Sequence, residues 1–126
     1  MKYIVLSLFV CLSYWSTAQE PIDQAIIELD RNEFDFGELH QGDKKSHAFT
    51  IRNTGNIPLI ISDVHTQCGC TAVEFPEDPI MPGKSSELVI LYDSSNKVGI
   101  QRKVVTIISN ASEDVKIRIL AQVYTE

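Results

Sequence analysis

The chain has 126 residues, with 11 basic and 17 acidic side chains and a net charge of −6 at pH 7. That balance excludes the broad basic surface by which proteins hold nucleic acid or an anionic membrane face. The length suits one domain around a single core.

The first residues read as an export signal. Lys2 supplies a positive charge, and the apolar run from Ile4 to Leu12 is too short to cross a bilayer. Ser16-Thr17-Ala18 offers the small residues a signal peptidase takes, which predicts cleavage after Ala18 and a mature chain starting at Gln19. Bulky Val10 before Cys11 does not suit a lipidated cysteine. Removing 18 of the 126 residues leaves 108, and among charged residues takes only Lys2, so the net charge goes from −6 to −7. No second apolar run is long enough to span a membrane, so no stable insertion is expected after cleavage. The product is expected in the periplasm or outside the cell, where disulfides persist. Cys68 and Cys70 are then its only cysteines.

Residues 19–32 form a lead-in with room for a first strand, and residues 33–126 the domain. Phe34 and Phe36 alternate around Asp35, so both can face a core, and Gly37 follows where the chain can turn. Ser46–Arg52 alternates with Phe49 and Ile51 inward. Asn53-Thr54-Gly55-Asn56 reads as a turn, and Pro58–Val64 as a strand opened by proline. Pro82-Gly83 has the residues of a type II turn, and positive φ is expected at Gly55 and Gly83. Glu87–Tyr92 is a short apolar strand, and Lys103–Ile108 is β-branched but for its lysine. Asn110-Ala111-Ser112 matches a glycosylation sequon but reads here as an exposed turn. In the last segment Val115, Ile117, Ile119, Ala121 and Val123 share one face, while Lys116, Arg118 and Gln122 take the other. Nothing in the mature chain has helical period. About seven short strands in this length predict an all-β, immunoglobulin-like antiparallel β-sandwich behind a cleaved signal peptide. The antibody hallmarks are missing: no distant cysteine pair exists, and the one tryptophan, Trp15, lies in the signal.

Five motifs in order carry a resemblance: Phe34-Asp35-Phe36-Gly37-Glu38-Leu39, Gly42–Phe49, Asn53-Thr54-Gly55, Cys68-Gly69-Cys70-Thr71, and Ile80-Met81-Pro82-Gly83-Lys84-Ser85. Together they resemble the bacterial "domain of unknown function 1573" family, from about Glu33 onward. The first, third and last are also similar to the wider immunoglobulin-like class that includes major sperm protein and hydin-like domains. The resemblance implies fold and export, and a module used for binding or scaffolding rather than a known reaction.

The unusual stretch is His65-Thr66-Gln67-Cys68-Gly69-Cys70. In an extended strand Cys68 and Cys70 would share a face, with Cα atoms roughly 6–7 Å apart, the upper limit for a disulfide. Gly69 lets the backbone fold tighter, so a Cys68–Cys70 disulfide is one reading. Four chemistries fit the residue types. The cysteines can be small structural side chains or a local disulfide. They can exchange with other thiols, although Pro58–Glu77 contains no Lys or Arg to favour a thiolate. With His65 they offer three ligands to Cu(I) or Zn(II), and His40 or His47 would have to come from elsewhere as a fourth. A cysteine hydrolase would need an orienting group and an oxyanion hole, and no motif supplies them.

The sequence therefore predicts an exported, non-enzymatic β-sandwich of the cell envelope, without a cofactor, that binds another protein or envelope component. The alternative is a small periplasmic thiol-redox or copper-handling protein centred on the Cys-Gly-Cys motif.

Overall fold

The computed structural model describes residues 22–125, so the signal sequence and its cleavage site lie outside the described residues. Eight strands follow in order: β1 Ile27–Leu29, β2 Glu33–His40, β3 Lys44–Asn53, β4 Ile61–Thr66, β5 Thr71–Glu74, β6 Ser85–Asp93, β7 Gly99–Ser109 and β8 Val115–Tyr124. There is no helix among the described residues. The strands form two four-stranded sheets, β1-β3-β6-β5 and β2-β8-β7-β4, packed as a sandwich.

Period-two patterning builds this arrangement. Along β8, Ile117, Ile119, Ala121 and Val123 are buried while Lys116, Arg118 and Gln122 are exposed. From the facing sheet, Phe49, Ile51, Leu88 and Ile90 are fully buried and join Val105, Ile107, Ile117 and Ile119 in one cluster. A second, smaller cluster at one end gathers Leu39, Tyr92, Ala121 and Val123, with Phe36 and Cys70 packed against it.

The lead-in before Glu33 supplies a first strand: β1 pairs with β3, and Ala25 is fully buried. Three details differ from the sequence-based expectation. The chain then changes sheet, and β2 pairs with β8 in parallel, so the sandwich is not wholly antiparallel. Pro58–Val64 is not one strand. Leu59 forms an isolated bridge to Ile80, and β4 begins only at Ile61, where the chain has moved to pair with β7. Gly55 does not have positive φ, unlike Gly37 and Gly83. Its glycine is required by close approach instead: a Cβ would lie 2.8 Å from the Ile26 nitrogen and 2.9 Å from the Ala25 Cα, and closer still to the Gln24 carbonyl. The lead-in strand crosses directly over the Asn53-Thr54-Gly55 turn.

Asn53 explains why those segments meet. The side chain is fully buried. Its Nδ2 donates to the carbonyls of Ile57 at 2.7 Å and Ile80 at 2.9 Å. Its Oδ1 accepts from Gly55 N at 2.9 Å and from Ile26 N at 3.4 Å. Its backbone exchanges bonds with the turn of the Pro82-Gly83 motif, donating to the Lys84 carbonyl at 3.0 Å and accepting from Gly83 N at 2.7 Å. The turn itself closes with Lys84 N donating to Met81 O at 3.0 Å, and Gly83 has φ 78° as a type II turn requires. At the opposite end, buried Ser94 offers its hydroxyl to the carbonyls of Asp43 at 2.8 Å and His40 at 3.0 Å.

Truncating this side chain leaves the Ile57 carbonyl and the N–H groups of Gly55 and Ile26 without that partner, at roughly 1–3 kcal/mol for each group left buried and unpaired, while the Ile80 carbonyl keeps the Leu59 N–H. Asn53→Ala is therefore expected to lower stability by at least about 3 kcal/mol, read from denaturant midpoints with an unchanged m-value. Gly55→Ala should also destabilise, because only backbone can yield to the new methyl group. Wild-type-like midpoints for both variants would contradict this account of the turn.

Candidate functional site

The Cys-Gly-Cys turn sits where the chain crosses between sheets. Strand β4 lies at the edge of one sheet and β5 at the edge of the other, with Gln67–Cys70 between them. Four hydrogen bonds fix this crossing. Gln67 Oε1 accepts from Val104 N at 3.0 Å, extending the β4–β7 pairing by one side chain. Thr66 Oγ1 donates to the Cys68 carbonyl at 3.1 Å, and Thr71 N reaches the same oxygen at 3.5 Å. Asp93 N donates to the Cys70 carbonyl at 2.8 Å, pinning the turn to the end of β6. Because the backbone turns here, the two Cα atoms are 5.3 Å apart and the sulfurs are bonded to each other. Both cysteines are half-buried and Gly69 is exposed. Cys70 packs on the Tyr92 cluster, and its Sγ lies 3.8 Å from Thr71 Oγ1.

His65 is placed apart from the cysteines. Along β4, Val64 packs toward the core while His65 is exposed on the other side of the strand, with its Nε2 3.2 Å from Asp63 Oδ2. His47 lies between the sheets, its ring stacked on Phe34 with centroids 3.7 Å apart. His40 ends β2 opposite Tyr124. Among the described residues no group of three His, Cys, Asp or Glu side chains is arranged to hold a metal ion. The His65, Cys68, Cys70 donor set does not converge, and sulfurs bonded to one another offer no thiolate.

Beside the turn, Tyr92 is a buried residue whose hydroxyl has no hydrogen-bond partner among the described residues. Burial, with the neighbouring Asp93 carboxylate as the lesser cause, raises its pKa above the ordinary phenol value. Asp93 itself is held below the usual carboxylate range, chiefly by hydrogen bonds from the Ser95 side chain and backbone.

A second feature has little signature in the sequence. The outer face of the β2-β8-β7-β4 sheet carries two adjoining shallow clefts, of about 490 and 330 Å³. Arg102 and Leu120 line both. One is completed by Glu33, Gln67, Val104 and Arg118, and the other includes Asp35, Glu38 and Ile100. Arg118 Nη1 lies 3.2 Å from Glu33 Oε2, a pair exposed to solvent. Val98 and Ile100 are 59% and 70% exposed. One sequence signal existed: Leu120 stands between Arg118 and Gln122 on the face that should be polar.

A family model described as "Protein of unknown function (DUF1573)" matches residues 27–123. No curated protein is similar enough in sequence to match. Among solved structures, a protein of unknown function from Porphyromonas gingivalis W83 is 24% identical with a TM-score of 0.70, over 85% of this chain and 51% of that one. The chain thus spans about half the length of that protein. The seventh PapD-like domain of human CEP192 has a TM-score of 0.66 at 7% identity, over 91% of this chain and 96% of that one. The YadV chaperone has a TM-score of 0.60 at 15% identity, over 80% and 52%. At these identities the likeness is one of fold, an immunoglobulin-like sandwich similar to that of the PapD-like domain.

Three outcomes follow for this region. Cys68→Ser with Cys70→Ser should cost no more than about 2 kcal/mol, because a ring closed through one residue restrains little of the unfolded chain. His65→Ala should change stability by less than about 0.5 kcal/mol, since its pairing with Asp63 is exposed. A raised Tyr92 pKa means that the folded state holds the phenol proton more tightly than the unfolded state does. Its stabilising contribution is complete below about pH 10 and is lost as pH rises through the folded-state value. Tyr92→Phe should flatten that alkaline loss, measured as thermal midpoints between neutral and strongly alkaline pH. An unchanged alkaline profile would show that Tyr92 is not its source.

Proposed function

We propose, from the premise that this chain belongs to the DUF1573 family, that it is an exported, non-enzymatic β-sandwich module that binds another protein of the cell envelope. The observation that carries this reading is the outer face of the β2-β8-β7-β4 sheet. It is shallow and extended rather than enclosed, which suits a macromolecular surface better than a small substrate. It combines exposed aliphatic side chains with arginines, the mixture found at protein interfaces. The strands beneath it are hydrogen-bonded neighbours in one sheet, so the side chains are held in fixed relation and a partner meets a surface already formed. Ile100 and Leu120 would give apolar contact at the centre, and Arg102 would meet a carboxylate or carbonyl of the partner. The likeness of the fold to PapD-like domains and to a chaperone supports protein binding as its general use. Export is supported by Lys2, the apolar run after it and Ser16-Thr17-Ala18.

Two measurements test the reading. The intact mass of the protein from cell-envelope or culture fractions should correspond to a chain beginning at Gln19. A mass that retains the signal, or a lipid on Cys11, contradicts the export step. A photo-crosslinking residue at Ile100 should yield one discrete adduct in the native host, and Arg102→Glu should abolish it. The same probe at Thr50, on the other sheet, should yield none. If Ile100 gives no adduct, or Thr50 gives the same one, the outer face is not the binding surface.

A further inference from the structure

We propose that the Cys68–Cys70 disulfide is a thiol–disulfide exchange site, accepting two electrons from a pair of cysteine thiols on a partner protein. This inference is independent of the sheet face above and rests on the crossing turn alone. Four observations carry it.

First, the bond spans one intervening residue, so it closes almost no loop and restrains little of the unfolded chain. Its presence therefore needs a reason other than stapling. Second, the turn is held without it. The bonds from Val104 N to Gln67, from Thr66 and Thr71 to the Cys68 carbonyl, and from Asp93 N to the Cys70 carbonyl involve neither sulfur. The two cysteines are thus kept positioned to re-form the bond. Third, the approach is open. Gly69 is exposed, and a Cβ placed there would meet nothing within 4 Å. Fourth, the two sulfurs are unlike. Cys70 is packed against the Tyr92 cluster, whereas Cys68 belongs to neither core cluster.

That asymmetry assigns the roles. A partner thiolate attacks Cys68 Sγ, forming a mixed disulfide and breaking the Cys68–Cys70 bond. The bonding pair leaves on Cys70 Sγ, which has the Thr71 hydroxyl 3.8 Å away as a donor. The partner's second thiolate then attacks the partner sulfur of the mixed disulfide and releases Cys68 as thiolate. The partner's dithiol is oxidised to a disulfide, the Cys68–Cys70 disulfide is reduced to two thiols, and the two protons given up by the partner's thiols balance those the cysteines take up. Sequence proximity offered no cation to favour a thiolate.

The test uses the full chain with Cys11→Ser, so that Cys68 and Cys70 are its only cysteines. A synthetic peptide bearing two reduced cysteines is mixed with the oxidised protein, and thiols are trapped by alkylation and read by mass. One equivalent of peptide disulfide should form per chain, with both protein cysteines recovered as thiols, and none with Cys68→Ser plus Cys70→Ser. With glutathione disulfide as probe, Cys70→Ser should form its adduct at Cys68 about tenfold faster than Cys68→Ser does at Cys70, since the more accessible protein thiolate reaches a glutathione sulfur more readily and the same access decides which protein sulfur is attacked in the native disulfide. The wild-type arm needs no variant to fold. A native disulfide that stays intact in large excess of reduced glutathione would mark it as structural and overturn the proposal. Reduction by glutathione without oxidation of the dithiol peptide would overturn it as well. Equal adduct rates at the two cysteines would overturn the assignment of Cys68 as the attacked sulfur.

Discussion

The fold depends on one buried amide. Asn53 ends β3 and satisfies backbone groups from three other places in the chain: the lead-in at Ile26, the carbonyl of Ile57, and the carbonyl of Ile80. The Ile26 N–H and the Ile57 carbonyl have no ladder partner at that point, and the Ile80 carbonyl has only the Leu59 N–H besides Asn53. The Leu59–Ile80 bridge is isolated, and the lead-in has only just begun its short pairing with β3. Without a side chain bearing both donors and an acceptor, the end of the sandwich would bury unpaired polar groups, which is costly. Asparagine supplies both from a single planar group. Gly55 completes the arrangement, because the turn can approach the lead-in closely only where no side chain intervenes.

With that end closed, the opposite features of the molecule acquire their positions. Leu59 is tied to Ile80 on one side and Ile61 begins pairing with β7 on the other, so the chain must change sheets there. It changes back at Gln67–Cys70 to form β5. A chain that crosses twice between sheets in so few residues leaves two short edge strands, β4 and β5, flanking the cysteines. Edge strands carry fewer hydrogen bonds than central ones, and connections between sheets are the places where a fold tolerates chemistry. The second crossing is where the only cysteines of the described residues stand.

The outer sheet face and the cysteine turn share a structural logic but not a location. The face is built from central strands β7 and β8, whose backbones are bonded on both sides. Its side chains are fixed and suited to complementarity. The turn is anchored by four hydrogen bonds around a glycine open to solvent. It is suited to a bond that opens and closes. Gln67 connects the two regions, lining the larger cleft while accepting from Val104 N next to the cysteines. A partner seated on the face would come close to the turn through this residue.

The sequence by itself determined what is local. Alternation along Val115–Val123 fixed the inward face of β8, and Pro82-Gly83 specified its turn, because side-chain period and backbone dihedrals depend on neighbouring residues only. The motif order likewise identified the family, and the β-branched runs the all-β class. What depended on distant segments was not legible. Asn53-Thr54-Gly55 reads as a turn signal, yet its asparagine serves carbonyls that other parts of the chain bring to it, and its glycine answers to the lead-in strand rather than to φ. Phe34 and Phe36 announced an inward face but not that β2 would lie parallel to β8. His65, Cys68 and Cys70 looked like one constellation because they are close in sequence. The strand's alternation sends His65 to solvent, while Cys70 packs on Tyr92 and Leu39 from other strands. Only tertiary structure decides such matters, since burial and hydrogen-bond partners are set by which segments meet, and that is a property of the whole packed chain.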